Sequence, residues 1–303
     1  MKSIIKKAIL MTAGVAFCLS VGAQDISKHE VSVYGGGGLS TLDYKVRLGH
    51  KSRGAGGEFG VGYSYKLSNV VRVNTGLELA LYAGKLRQKN FNYNQAGIID
   101  NYGTNASGHE YEFYSSVKNY EEKNTSMFVN IPIMAQFSVL EDKVYLAGGV
   151  KIGIPVSGKA KSSTSKFVNT AYFPELDNWA DSQEFMALGT FENRSYDSDY
   201  DLKLAYILSL EAGYKWKLNE GMSLYTGAYF DYGLNNIQDN SGKSFVNLNK
   251  NATGVDFTTE SMLNSNYMLG DKDLGNVRDE SFTRKVKVMA FGVKVRLGVN
   301  LSK

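Results

Sequence analysis

The chain has 303 residues, 43% hydrophobic and 21% charged, with a formal net charge of +4. Its 32 glycines and 20 tyrosines against three prolines suit glycine-eased, aromatic-edged strands better than a helical protein. The one long apolar run, Ala8 to Val21, falls short of the roughly 20 residues a spanning helix needs, which excludes a helical membrane protein.

The N-terminus places Lys2, Lys6 and Lys7 ahead of that apolar run and Val21-Gly22-Ala23 after it. A basic start, a short apolar stretch and a small-residue exit make the pattern of a secretory signal peptide over residues 1–23. Cleavage after Ala23 would leave a mature chain, 24–303, with 31 of the 34 basic side chains against 30 acidic ones. That balance offers a nucleic acid no basic face. The single cysteine, Cys18, lies in the leader; a lipoprotein exit there would want a small residue where Phe17 stands. The mature chain therefore has no disulfide, thiolate metal ligand or cysteine nucleophile.

Period-2 alternation then predicts eight strands, at about 29–42, 54–67, 70–84, 125–139, 143–157, 200–218, 222–235 and 284–301. In 200–218 the even positions, Tyr200 to Leu218, carry no charge, while Asp201, Lys203, Glu211, Lys215 and Lys217 fall on the odd ones. A strand sorts such sets onto two faces; a helix would scatter them. Met289 to Leu301 repeats the pattern opposite Lys294 and Arg296. Ser68-Asn69, Glu141-Asp142 and Asn219-Glu220-Gly221 read as tight turns, and the segments 43–53, 85–124, 158–199 and 236–283 as long loops. Short turns alternating with long loops are the rhythm of an outer-membrane barrel. Pro132 and Pro155 each remove a ladder donor, so irregularity is expected near both.

A lipocalin-like soluble barrel would alternate in the same way with its faces reversed. Two features favour lipid outside. The charge-bearing phase is also the glycine-rich one, with Gly36, Gly38, Gly60, Gly62, Gly149, Gly213, Gly227 and Gly292, as a narrow interior requires. Aromatics lie toward strand ends on the apolar phase, at Tyr63, Tyr65, Tyr200, Tyr214, Trp216 and Tyr232, as interfacial girdles do.

The segments Val129-Asn130-Ile131-Pro132-Ile133, Ala147-Gly148-Gly149-Val150 and Phe291-Gly292-Val293-Lys294-Val295-Arg296-Leu297, with the leader ending before Gln24, resemble the Bacteroidota outer-membrane β-barrel family, the PorT-like or outer membrane protein beta-barrel domain group. Gly292-x-x-Val295-x-Leu297 is also similar to the closing-strand signal read by barrel-assembly machinery, although the chain runs on to Lys303 without a terminal aromatic. The resemblance covers the whole mature chain. It implies the fold and the outer membrane; roles in the family vary, and one member is implicated in protein secretion to the cell surface.

The expectation is thus an all-β fold: an eight-stranded antiparallel up-and-down transmembrane β-barrel with short periplasmic turns, long extracellular loops and no plug. Nine charges share the predicted lumen: Glu58, Arg72, Glu78, Lys151, Lys203, Glu211, Asp231, Lys294 and Arg296. In so narrow a barrel they should pair across the interior. Arg53, Lys85, Arg87, Lys89, Lys159, Arg284, Lys285 and Lys287, with Arg47 beside them, gather at the outer strand ends as candidate contacts to lipopolysaccharide phosphate. No metal or cofactor is expected. Asp197-Ser198-Asp199-Tyr200-Asp201 lacks the glycine and glutamate of a calcium loop. His109 beside Glu110, with Ser107 nearby, is the one crude catalytic conjunction. The leading function is non-enzymatic: extracellular loops mediating surface interaction or envelope and secretion-related roles. The rivals are a narrow ion or small-solute channel and a surface hydrolase. Expected partners are outer-membrane lipid and lipopolysaccharide, barrel-assembly machinery during insertion, and an unidentified surface or secretion protein.

Overall fold

A computed structural model describes residues 28–46, 50–99, 109–182, 187–239, 243–248, 257–269 and 278–301. The leader 1–23, Arg47, Ser107 and the side chains of His109 and Glu110 lie outside the described residues.

In chain order the strands are β1 (His29–Val46), β2 (His50–Lys66), β3 (Val71–Ile99), β4 (His109–Val139), β5 (Val144–Phe173), β6 (Asn178–Ala180), β7 (Gly189–Asp199) and β8 (Ala205–Lys217). They continue with β9 (Met222–Gly233), β10 (Lys243–Ser244), β11 (Val246–Leu248), β12 (Phe257–Thr259), β13 (Ser265–Leu269), β14 (Arg278–Ser281) and β15 (Thr283–Asn300). Antiparallel pairing runs β1–β2–β3–β4–β5–β8–β9–β15 and returns from β15 to β1. The ladder closes on itself, so within the cylinder these strands present no free backbone edge, which is the condition for a sheet to sit in hydrocarbon. Three tight turns at 67–70, 140–143 and 218–221 mark one end, called the lower end below.

The two side-chain phases separate by side. Leu79, Leu81, Ile133, Leu146, Leu208, Leu210, Phe291 and Val293 are exposed on the outside, whereas Glu58, Glu78, Lys151, Asp231 and Lys294 are buried inside. A soluble barrel would have the reverse. Glycines on the inner phase make room for the large interior rings. A Cβ on Gly60 would stand 2.6 Å from the Tyr34 ring, and one on Gly213 would stand 2.8 Å from the Tyr145 ring. Pro155 sits at a bulge, where Met127 pairs Ser157 and Phe128 pairs Pro155. Beside Pro132 the β3–β4 ladder skips from Thr75–Ile133 to Glu78–Asn130 without a register shift.

Four expectations are corrected. The segments 43–53, 85–124 and 158–199 are largely not loops: β1 runs on to Val46 and β2 begins at His50, while β3, β4 and β5 continue far above the cylinder, paired to each other and to β6 and β7. Their alternation is concealed by a bend. Asn119 takes a left-handed conformation (φ 52°) and donates to the Ser165 hydroxyl at 3.1 Å. Below it Tyr120 and Glu122 face inward; above it Val117, Ser115, Phe113 and Tyr111 do. Second, β8 starts at Ala205, so Lys203 lies outside the cylinder, 59% exposed and 3.6 Å from Asp239. Third, Tyr200 is buried rather than girdling the outside, its hydroxyl 2.6 Å from that of Ser126. Fourth, the mouth is sealed. Ile237 and Leu263, from the 236–283 segment, pack with Leu42, Tyr82, Phe128, Tyr200 and Val288 in an apolar layer above the interior charges.

Above that layer lies a second core, in which Phe91, Tyr93, Tyr120, Phe245 and Phe282 meet ring to ring, as do Phe167 and Phe257, with Tyr111 and Phe113 buried among them. Most aromatics of the segments expected as loops are therefore the packing of a folded head.

The inward glycines generate a paired prediction. Gly60→Ala should lower the unfolding free energy by about 1–3 kcal/mol through overpacking. Gly35→Ala, whose Cβ meets nothing nearer than 3.8 Å, should leave it unchanged. Urea unfolding of the detergent-solubilised protein, followed by heat-modifiable gel migration, compares the two.

Candidate functional site

The interior charges come from strands distant in sequence that the closed ladder brings face to face. Lys151 of β5 projects to the centre, where its Nζ donates to Glu58 of β2 (3.1 Å), Glu78 of β3 (2.9 Å) and Asp231 of β9 (2.9 Å). Asn130 of β4 donates to Glu78 at 2.8 Å. Lys294 of β15 lies 2.6 Å from Glu58 and donates to Glu211 of β8. Below it is the Tyr34 ring of β1, and Tyr229 of β9 lies within 5.9 Å of both ammonium groups. All the strands of the circuit thus contribute to this one layer.

Lys151 is 1% exposed, and Glu58, Glu78 and Asp231 are no more than 3% exposed. Charges so far from water are tolerated only when paired and hydrogen-bonded. Glu58, Glu78 and Asp231 approach closely enough to enclose a metal ion, but the Lys151 ammonium occupies their centre and supplies the cation itself.

A second layer lies nearer the turns. Arg296 donates to Gln136 at 2.6 Å and stacks over Tyr225 at 4.1 Å. Arg72 donates to Glu30 at 3.1 Å, and the Tyr225 hydroxyl donates to the same carboxylate at 2.8 Å. Lys215 reaches Asp142 of the turn at 2.5 Å. A cavity of about 30 Å³, lined by Ser32, Tyr34, Asn74, Glu78, Lys294 and Arg296 among others, lies between the layers. It has room for a water molecule or two and no more.

Of the nine predicted lumen residues, all but Lys203 lie in these two layers. Glu30, Asn130, Gln136, Lys215 and Asp142 were missed. The first four lie on the inward phase inside the predicted strands, and the signal that could have found them was that same phase read for amides and for charges near the strand ends as well as for mid-strand charges. Glu122 was missed for another reason. It is fully buried where a loop was expected, accepting from Tyr120 (2.5 Å), Ser261 (2.8 Å) and the Met262 amide (3.0 Å). It ties the 257–265 segment into the head.

The predicted outer basic residues divide into several environments. Arg87 donates to Glu121 at 2.6 Å; that bond, with Lys123 and Lys85 nearby, holds the Glu121 carboxyl below its usual range. Arg284 pairs with Glu280, while Lys287 lies 5.1 Å from the Tyr232 ring. Arg53, Lys89, Lys159 and Lys285 are exposed, and Lys85 is half-buried. Asp197 and Asp199 stand opposite Lys161 and Lys159 in the ladder, so the acidic run on β7 faces lysines rather than an ion site.

A family model described as outer membrane protein beta-barrel domain matches residues 23–239. The chain belongs to that family. No curated protein matches the sequence. Solved structures similar to this chain include Neisserial surface protein A, at 9% identity over 90% of this chain and 97% of that one, with a TM-score of 0.29. Ail, the attachment invasion locus protein of Yersinia pestis, is 13% identical over 89% and 99% with a TM-score of 0.28. OmpT, the outer membrane protease of Escherichia coli, is 9% identical over 92% and 99% with a TM-score of 0.31. Family membership, together with the apolar outer face and the closed ladder, locates the protein in the cell outer membrane.

Lys151→Met should lower the unfolding free energy by about 3–5 kcal/mol, because three buried carboxylates lose their common partner. Adding Glu78→Gln and Asp231→Asn should recover much of that loss, as judged by urea midpoints of the refolded protein. Equal midpoints for wild type and Lys151→Met would remove the ion layer as a stabilising feature.

Proposed function

We propose that the closed circuit is an eight-stranded up-and-down transmembrane barrel, with its tight turns in the periplasm and the β3–β4–β5 extensions outside the cell. The PorT-like affinity rests on the strand segments quoted above, and the leader over 1–23 supplies the route of export. The role is non-enzymatic: the barrel is an anchor, and the extracellular head with its basic rim makes the contacts. Outer-leaflet lipopolysaccharide, the assembly machinery during insertion and a surface or secretion protein are the partners this reading calls for.

One observation carries it. From bottom to top the interior is a polar layer, an ion layer, an apolar layer containing Ile237 and Leu263, and an aromatic core. A solute crossing this path would have to break buried ion pairs and then a desolvated seal. The surface is what remains available for interaction, and the sheet that presents it is built with its own core.

Two measurements test the reading. Cysteines at Ser165 in the head should react with an impermeant maleimide on intact cells, while cysteines at Leu208 and Val295 on the lipid face should not. In planar bilayers the purified protein should give no stepwise conductance. Discrete channel openings would return the molecule to the narrow-pore class, and labelling at Leu208 would turn the cylinder inside out.

A further inference from the structure

Directly opposite residues of an antiparallel pair share a face with Cβ atoms about 4.5–5.5 Å apart, and like charges placed so are destabilising. On the outer face of β3, β4 and β5, Lys85 pairs Lys123 and Lys123 pairs Lys161, which makes one unbroken row of ammonium groups across three strands. Beyond the bend, Lys118 pairs Lys166 on the same face. Lys123 and Lys161 are 58% and 73% exposed; Glu121 lies 3.9 Å from Lys123, and Asp197, which stands opposite Lys161 on β7 and ends the row, lies 3.8 Å from it, so three lysines share two loosely placed acids. Glu121 is already engaged by Arg87. Two other outer cations have closer partners: Lys51 is paired by Asp43 and Arg284 by Glu280.

The row lies four residues above Leu81–Met127, the last fully apolar outer pair on these strands, or about 13 Å at strand rise. That is headgroup depth for the outer leaflet. Higher on the same face stand Asn92, Asn94 and Thr170 with one acid, Glu112, which accepts from the Tyr114 hydroxyl, and Tyr114 and Tyr172 flank Trp179 at 5.3 and 5.0 Å. Amides, a hydroxyl and the exposed Trp179 ring between two half-buried tyrosines suit the polar and apolar faces of sugars.

We infer that Lys85, Lys123 and Lys161 form a phosphate-binding row for a phosphorylated outer-leaflet glycolipid, whose saccharide runs up the β3–β4–β5 face toward Trp179. Phosphate oxygens lying between adjacent ammonium groups convert the like-charge repulsion into charge-assisted hydrogen bonds. The inference rests on the outward orientation of the head proposed above.

The test uses full-length protein refolded in detergent and titrated with bis-phosphorylated lipid A, dephosphorylated lipid A or inorganic pyrophosphate. Wild type should bind the bis-phosphorylated lipid at least tenfold more tightly than the dephosphorylated one, with pyrophosphate failing to displace it. The K85Q/K123Q/K161Q variant should lose at least tenfold. A charge-matched control at the lower end, K66Q/K143Q/K217Q, should stay within about twofold. If the triple variant gives no heat-modifiable folded band, K123E alone is measured for the same loss. Undiminished binding by the folded variant, equal binding of the two lipids, or full displacement by pyrophosphate would each overturn the proposal, the last by assigning the row to free phosphate. Failure here with correct cysteine labelling leaves the surface-anchor reading intact, while labelling at Leu208 removes both.

Discussion

A single ammonium, that of Lys151, fastens the interior of this protein. The strands bearing its partners are separated by 70 residues or more along the chain from it, and each partner is a carboxylate that could not remain buried alone. Closure of the ladder satisfies the backbone; the ion layer then selects which strands must face one another across the bore. A register slip of one residue in β5 would turn Lys151 toward lipid and bring Val150 or Ile152 among the carboxylates. The layer therefore acts as a register lock, and the glycines on the inner phase are the space in which it fits.

How much of this could be read from the residues depends on where the alternation survives. In β15, Met289 to Leu301 keeps one phase from end to end, and the structure keeps it too. In β4 the alternation is real on both sides of Asn119 but reverses there, so a search for one unbroken phase sees a polar loop where a strand runs on. Lys203 shows the opposite failure. Its neighbours Tyr200, Leu202 and Leu204 alternate as a strand would, yet the chain is still crossing the rim, where Leu202 bridges Gln238 and Lys203 turns to Asp239. Local pattern is blind to which partner lies beside it. Leu263 could not have been assigned to the mouth at all, since nothing in its own segment says that it returns to fill a bore.

The vertical order of polarity also explains why the seal and the ion layer coexist. Apolar side chains packed directly over ion pairs exclude the water that would weaken them, and the ion pairs in turn leave no unpaired charge beneath the seal. Gln238 fixes the cover from above by donating to the Leu263 and Thr283 carbonyls, at 2.8 and 3.1 Å. Glu122 holds it from the head side by accepting from the Ser261 hydroxyl and the Met262 amide. Loop and barrel are thus joined by hydrogen bonds to backbone, which hold a cover in place without requiring it to be a strand.

The electrostatics of inside and outside are then opposite in kind. Within the cylinder each cation has close acceptors, and the geometry leaves room for little more than a water molecule or two. On the outer face of β3–β5, lysines stand in register with lysines across three strands, an arrangement that strand pairing alone would disfavour. A chain able to place Glu58, Glu78 and Asp231 around one ammonium has the means to put a glutamate at position 123 and neutralise the row. It carries lysine there instead, and with only Glu121 and Asp197 near three ammonium groups the row keeps an excess of positive charge for the headgroup phosphates of the proposed glycolipid.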